Sequence, residues 1–162
     1  MVKIKDRITS SLYDLIGISQ DGQKGYRLAA KKERSREVKL TYDRFADQKM
    51  RLTDELLSEF MKFDENPEPF LASYFSSPTT EIFSKKIAEE NSSEAIVDLC
   101  EREESKVLHV YQSVREIENL PLELYHVVER QYAQVKSIYC EIVDLRRYSL
   151  KKLKLNEIDP LN

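Results

Sequence analysis

Residues 12–30 read Leu12-Tyr13-Asp14-Leu15-Ile16-Gly17-Ile18-Ser19-Gln20-Asp21-Gly22-Gln23-Lys24-Gly25-Tyr26-Arg27-Leu28-Ala29-Ala30. The stretch is typical of a helix, yet it holds all three glycines of the 162-residue chain, Gly17, Gly22 and Gly25. Each glycine inside a helix costs roughly 1 kcal/mol relative to alanine. Because glycine lets a neighbouring group approach the backbone closely, the sequence predicts a first helix that is either packed unusually tightly or built around a ligand.

Outward from this stretch, the sequence predicts four long helices, at about residues 10–32, 35–63, 92–117 and 121–153. Ser10 or Ser11 is a good N-cap for the first helix. Asn91 and Glu94 have the spacing of a capping box before the third. The prolines after Phe63 end the second helix.

The lengths of the connections predict how these helices are arranged. Short connections join the first helix to the second and the third to the fourth, so each pair is expected to form an antiparallel hairpin. Residues 64–91 form a much longer crossover, against an ordinary helix-to-helix connection of roughly two to eight residues. Such a crossover, with short helices inside it, is found in ferritin-like bundles. The sequence therefore predicts a single all-α domain over residues 1–162, a ferritin-like four-helix bundle.

Composition narrows the class of protein further. The chain is 41% hydrophobic and 34% charged, and no run approaches the roughly 18 apolar residues of a membrane span. The first residues lack the apolar region of a secretory signal, and two cysteines do not make a disulfide scaffold. We therefore expect a cytoplasmic protein without a membrane partner. A net charge of −3 argues against a dedicated nucleic-acid binder.

In each predicted helix, the inward-facing row of side chains turns polar halfway along its length. Buried polar groups need hydrogen-bond partners, so we expect a hydrogen-bonded polar layer in the middle of the bundle. Gly22 and Gly25 lie at the same height and are expected to make room for tyrosines or for a neighbouring backbone. The residues predicted for the polar layer are Ser19, Gln23, Gln48, Glu103, Glu104, Gln131 and Tyr139.

A two-metal centre is the alternative for this layer. Ferritin-like metal proteins use a carboxylate from each of two helices and a Glu-x-x-His motif from each of the other two. This chain has only His109 and His126, and its one such motif, Glu123 to His126, lies at the start of the fourth helix. We therefore expect no metal cofactor. The alternative is a divergent oxygen-ligand site for iron or manganese, with the candidate ligands Glu101, Glu104 and Glu129.

These residues resemble an uncharacterised bacterial family of ferritin-like four-helix-bundle proteins, a domain of unknown function. The resemblance covers about Leu12 to Arg147, and family members often carry a histidine where this chain has Tyr139. It implies the ferritin-like fold and no established activity, and it suggests a stress-related role. The motifs that carry it are Leu12-Tyr13-Asp14-Leu15-Ile16, Asp21-Gly22-Gln23-Lys24-Gly25-Tyr26-Arg27-Leu28-Ala29-Ala30, Asp54-Glu55-Leu56, Cys100-Glu101-Arg102-Glu103-Glu104, Tyr111, Glu129-Arg130-Gln131, Val135-Lys136 and Ile142-Val143-Asp144-Leu145-Arg146.

Two surfaces and two thiols complete the functional hypotheses. Cys100 and Cys140 are expected at similar heights, as free buried thiols or as a redox pair.

Basic residues at one pole complement the helix dipoles or attract an anionic partner. These basic residues are Lys31, Lys32, Arg34, Arg36, Arg146, Arg147, Lys151, Lys152 and Lys154. The apolar crossover residues, expected to cover the bundle or to serve a homodimer or protein interface, are Phe70, Leu71, Tyr74, Phe75, Ile82 and Phe83.

The sequence thus favours a non-catalytic structural or interaction module. The competing hypothesis is a metal-dependent redox or metal-storage protein that uses the mid-bundle acids. The missing second Glu-x-x-His motif is the feature that separates the two.

Overall fold

The computed structural model describes the backbone of residues 2–63, 66, 72 and 81–158, and the side chains of 6–63, 66, 72 and 81–152. Over these residues the chain is all-α, as predicted, with five helices and no strand. The helices are α1 (Val2–Lys32), α2 (Arg36–Phe63), α3 (Ile82–Glu89), α4 (Ser93–Arg115) and α5 (Leu122–Ile158). The crossover residues Phe70, Leu71, Tyr74 and Phe75, which carried the predicted dimer interface, lie outside the described residues.

The helix ends differ from the predicted ones in three places. α1 begins at Val2, so the predicted cap at Ser10 or Ser11 is wrong; Ile8 is buried and extends the apolar stripe toward the N-terminus. The N-cap of α4 is Ser92, whose hydroxyl accepts from the amide of Ala95, rather than Asn91. α5 runs beyond the predicted end to Ile158, and Lys154, Leu155 and Glu157 in this part are good helix formers.

The long helices form two hairpins. α1 and α2 are joined by residues 33–35 and pack together along their length, with Arg27 of α1 bonded to Asp43 and Asp47 of α2. α4 and α5 are joined by residues 116–121, and the Arg115 guanidinium donates to Glu129 at 2.6 Å. α1 also packs against α3 and α4, and α2 contacts α5.

The short helix α3 lies against the second half of α1, which binds both of its ends. The Asp21 carboxylate accepts from the backbone amides of Phe83 at 2.8 Å and Ser84 at 3.0 Å. The Lys32 ammonium donates to the carbonyl of Ile87 at 2.9 Å and to two further carbonyls at that end. An anion therefore meets the positive end of the α3 dipole and a cation meets its negative end.

The buried core consists of two apolar clusters, one in each half of the bundle. The first contains Ile8, Leu12, Leu15, Ile16, Leu52, Leu56, Phe60, Val107, Tyr111, Val114, Ile117, Leu124, Val128 and Val135. The second contains Tyr26, Ala29, Ala30, Tyr42, Phe45, Ala46, Phe83, Ile87, Ile96, Val97, Cys100, Ile138 and Ile142. On α1, α2 and α4, buried polar residues interrupt the apolar stripe where one cluster gives way to the other. No described helix has the length and apolar character needed to cross a bilayer.

Candidate functional site

Two of the glycines of α1 make room for side chains from other helices. A Cβ atom on Gly22 would lie 3.3 Å from Cδ of Lys49, and a Cβ atom on Gly25 would overlap the ring of Phe83. The predicted tight packing is confirmed at both positions. The neighbours differ from the prediction, because they are a lysine of α2 and a phenylalanine of α3 rather than tyrosines or backbone.

The side chain of Lys49 packs against Gly22 and forms an ion pair with Glu104 between the two apolar clusters. Its ammonium lies 3.0 Å from Oε2 of Glu104, and the Tyr26 hydroxyl donates to Oε1 at 2.6 Å. The side chains of Lys49 and Glu104 are each only 1% exposed. Burial, and then the charge on Glu104, raise the pKa of Tyr26 well above its ordinary value, so this phenol keeps its proton and remains a hydrogen-bond donor.

A second hydrogen-bond network joins α4 and α5 to α2. The Tyr111 hydroxyl donates to Oε1 of Gln131 at 2.7 Å, and the amide nitrogen of Gln131 donates to the carbonyl of Leu52 and to Glu55. Arg130 then binds both carboxylate oxygens of Glu55. The network thus connects a buried tyrosine to an ion pair at the surface.

Ser19, Glu104 and Gln131 are the predicted polar-layer residues that the structure buries completely. The hydroxyl of Ser19 lies beside that of Tyr111. In contrast, Gln23 is half-buried on the outer face of α1 beside Lys24.

Gln48 and Tyr139 are also only half-buried. The amide oxygen of Gln48 is buried and has no hydrogen-bond partner among the described residues. Gln48 lies at the edge of a groove between α2 and α5 of about 240 Å³, where Glu55 and Arg130 also lie. Neither Gln48 nor Tyr139 contributes a hydrogen bond to the two networks described above.

Glu103, the remaining predicted polar-layer residue, lines a groove between α1 and α4 of about 410 Å³. Asp14 and Asp21 of α1 line the same groove. Burial, followed by the charges of Asp21 and Glu104, raises the pKa of Glu103, and burial also raises the pKa of Asp14. Asp14 and Glu103 are therefore two carboxyl groups of this groove whose ionised forms are disfavoured.

The three candidate metal ligands each bind a different cationic side chain. Glu101 pairs with Arg146, Glu104 with Lys49, and Glu129 with Arg115. Across the described residues, no group of three or more histidine, cysteine, aspartate or glutamate side chains is arranged to hold a metal ion.

The other candidate residues lie apart from the buried ion pair. His109 is exposed, with Nδ1 2.7 Å from the carbonyl of Ser105, and His126 is exposed beside Tyr125. Cys100 and Cys140 are both free; Cys100 is buried and Cys140 is exposed, which corrects the prediction that both are buried. Burial raises the pKa of the Cys100 thiol.

Lys49 is the residue that sequence reasoning missed. A lysine is by default a surface residue, and the sequence pattern favours Gln48 for the inward row instead. Phe45 and Leu52, which are buried, lie four residues before and three residues after Lys49, so Lys49 falls on the same helical face. Gly22 in the facing helix α1 is a second sequence feature that indicates a buried side chain here, because glycine lets a neighbouring group approach closely.

Comparison with curated proteins found no match. A family profile, described as Domain of unknown function (DUF2383), matches residues 7–116, more than half of the chain. The match includes the glycine-containing part of α1, Lys49 and Glu104, and it stops before α5. The resemblance to a domain of unknown function is therefore confirmed over residues 7–116, and the chain belongs to the family Domain of unknown function (DUF2383).

Proposed function

We propose that the chain is a non-catalytic structural or interaction module with a ferritin-like bundle arrangement. Two hairpins, α1–α2 and α4–α5, support the arrangement, since they are separated by a long connection that contains α3. A single long crossover between hairpins is the topology of ferritin-like folds. The two free cysteines fit a reducing compartment, and we propose a cytoplasmic location.

The buried ion pair is the observation that carries the functional proposal. In ferritin-like metal proteins, carboxylates from several helices converge on two cations in the bundle core. In this chain Glu104 is a fully buried carboxylate between the two apolar clusters, and both of its oxygens already accept hydrogen bonds, from Lys49 and Tyr26. The Lys49 ammonium supplies the positive charge, so no metal ion is needed to neutralise Glu104. The centre then holds the helices together rather than performing chemistry.

A metal titration tests this proposal against the alternative of an iron or manganese site. Fe²⁺ and Mn²⁺ would each be titrated calorimetrically into protein purified without chelator, with the unfolding temperature measured in parallel. We expect no stoichiometric binding and no rise in unfolding temperature, because a ligand that binds only the folded state stabilises it by mass action.

Two matched variants locate any metal that does bind. Glu104→Gln removes the central carboxylate, whereas Glu129→Gln removes a candidate ligand that pairs with Arg115 at 2.6 Å. Stoichiometric iron or manganese in the wild-type protein that is lost in Glu104→Gln and kept in Glu129→Gln would overturn the proposal.

A further inference from the structure

The bundle pole formed by the start of α2 and by residues 141–148 of α5 carries an open groove that is separate from the buried ion pair. The groove has a volume of about 370 Å³; Val38 and Leu145 are among its apolar walls, and Glu37 and Asp144 lie at its acidic rim. Tyr148 of α5 borders it and is 58% exposed. An apolar groove with an acidic rim fits a partner segment that is apolar and basic.

α5 itself provides such a segment directly after the groove. Arg44 of α2 pairs with Glu141 of α5 at 2.5 Å, which sets the two helices in register. Because α2 starts at Arg36, the part of α5 after about Ser149 extends past the N-terminal end of α2. This extension contains Leu150, which is 48% exposed, and the exposed Lys151 and Lys152.

Several charged residues of the pole form no ion pair within the described part of the chain; one of them, Lys152, also lines a second groove, with Glu33 and Glu94 of its own chain. The acidic residues Glu37 and Asp144 form no ion pair with any described residue, and neither do the basic residues Lys151 and Lys152. The remaining groove acid, Glu141, is already neutralised by Arg44. The same surface therefore presents unpaired charges of both signs, separated along one helix, as a self-complementary interface requires.

We propose that this pole binds a second copy of the chain, with the two α5 helices antiparallel and crossing at Tyr148. In that register a residue four positions before Tyr148 faces a residue four positions after it, so Asp144 of each copy meets Lys152 of the other, about 6 Å from the two-fold axis. The two Tyr148 rings pack against each other at the axis, an arrangement that aromatic pairs favour. Each α5 extension then lies over the groove of the other copy.

This inference deepens the proposed interaction role by naming the partner. It fails or succeeds separately from the metal titration, because that experiment concerns the bundle centre and this one concerns the pole. In this arrangement the basic residues Lys151 and Lys152 of one copy meet the acidic rim, Glu37 and Asp144, of the other.

Charge reversal in two full-length variants tests the interface. The acidic-rim variant is Glu37→Lys with Asp144→Lys, and the extension variant is Lys151→Glu with Lys152→Glu. We expect the wild-type protein to sediment as a dimer, and each variant alone to have a dimer dissociation constant more than about tenfold higher, since like charges then meet across the interface. An equimolar mixture of the two variants restores opposite charges at both contacts and is expected to form a heterodimer.

A remote charge reversal on the same helix is the control. Lys136 is exposed on α5, far from the pole, and Lys136→Glu is expected to leave the dimer unchanged. A monomeric wild-type protein at about 100 μM, well above the micromolar affinity of a modest interface, would refute the proposed dimer. So would a dimer that persists unchanged in both pole variants.

A cross-link provides a second measurement that does not depend on charge. In a Cys140→Ser background, Tyr148→Cys places two thiols at the proposed axis, where disulfide formation needs Cα atoms about 4.4–6.8 Å apart. We expect rapid oxidation to a covalent dimer, whereas Ser137→Cys in the same background stays monomeric on denaturing gels. No cross-link at Tyr148→Cys, or equal cross-linking at both positions, would count against the antiparallel register.

Discussion

At the scale of single residues, the pair Lys49–Glu104 is an ion pair with both side chains buried. Removing water from two charges costs several kcal/mol per ion, and their attraction offsets this cost only when the remaining hydrogen bonds are also made. Tyr26 provides such a bond to the second oxygen of Glu104. Removing one partner of the pair is thus expected to lower the free energy of unfolding by more than the intact pair contributes to it.

Neutralising Glu104 tests this asymmetry. Glu104→Gln leaves the Lys49 ammonium buried without a counter-charge, so we expect the free energy of unfolding to fall by about 3–5 kcal/mol, measured by urea denaturation. Lys62→Met, which breaks the exposed pair with Glu59, is expected to cost less than about 1 kcal/mol. Equal losses in the two variants would contradict the assigned role of burial.

The glycines give a second prediction at this scale. Gly25→Ala gains roughly 1 kcal/mol of helix propensity but forces its methyl group into the Phe83 ring, and such overpacking costs about 1–3 kcal/mol. We expect a net loss of stability in thermal unfolding, with part of it recovered in Gly25→Ala/Phe83→Leu. Gly22→Ala meets a flexible lysine chain at 3.3 Å and is expected to be milder; a stabilised Gly25→Ala would be inconsistent with the packing described.

At the scale of elements, α3 depends on α1 for both of its ends. The N-cap position of α3 is Glu81, whose side chain forms no capping hydrogen bond. Asp21, distant in sequence, makes the bonds that a local cap would supply. α1 therefore holds both ends of α3, one through Asp21 and the other through Lys32.

Removing the carboxylate of Asp21 tests that dependence. Asp21→Ala leaves the amides of Phe83 and Ser84 without an acceptor, and we expect a loss of about 0.5–2 kcal/mol, as for an N-cap. The measurement is amide hydrogen exchange, which is expected to accelerate in α3 more than in α2. Lys24→Ala, which removes the exposed pair with Glu81, is the control; unchanged α3 protection in Asp21→Ala would show that packing alone holds the helix.

The groove between α1 and α4 gives a pH prediction. Burial and the charges of Asp21 and Glu104 raise the pKa of Glu103 above its ordinary value of 4.5. Between that value and the raised pKa, the folded protein binds more protons than the unfolded chain, so the contribution of Glu103 to stability falls as pH rises. The destabilisation caused by Glu103 is complete above the raised pKa and disappears below pH 4.5.

Glu103→Gln should therefore raise the free energy of unfolding at pH 7, and the gain should shrink as the pH is lowered toward 4. Urea denaturation of both proteins across this range measures the difference. Lys106→Met, at a neighbouring position in the same groove, is not expected to stabilise the protein at pH 7. A gain for Glu103→Gln that grew toward acid pH would have the wrong sign.

At the scale of the whole molecule, the polar layer lies where one half of the core gives way to the other. The cluster that contains Leu12 is rich in leucine, isoleucine and valine side chains of similar size, whereas the other cluster combines alanines with tyrosines and phenylalanines. Apolar contacts in the first cluster therefore define the relative heights of the helices weakly. The bonds of Tyr26 and Lys49 to Glu104 join α1, α2 and α4 at one height. We infer that the buried pair contributes more to helix register than to stability.

An apolar replacement of the whole group separates register from stability. In the triple variant Tyr26→Phe, Lys49→Met and Glu104→Leu, no buried polar atom of the group is left unpaired, and we expect a stability equal to or up to about 1–4 kcal/mol above the wild type. Chemical-shift dispersion in NMR spectra is expected to narrow, since no buried hydrogen bond then fixes the relative heights of α1, α2 and α4. Unchanged dispersion would remove the register role, and a large destabilisation would contradict the energetic argument.

Prediction from the sequence succeeded where the signal is local. The spacing of Leu52, Leu56 and Phe60 predicts α2, because helical periodicity is set by residues three and four positions apart. The helix ends were predicted less well, since Ser10 and Ser11 are acceptable both as caps and inside a helix. Within the candidate site, Glu104 was assigned to the polar layer, whereas its partner Lys49 was not, because a lysine on an apolar stripe has the same sequence pattern whether it is buried or exposed at its tip.

The sequence alone determined the all-α class, the two hairpins and the family, since periodicity, short connections and motifs are properties of neighbouring residues. It also marked Gly22 and Gly25 as places of close approach. Tertiary structure alone decided what approaches them: Lys49 and Phe83, which come from other helices. The bonds of Glu104 to Lys49 and of Asp21 to α3 join residues more than fifty positions apart, and only the packing of helices brings such groups together at buried positions.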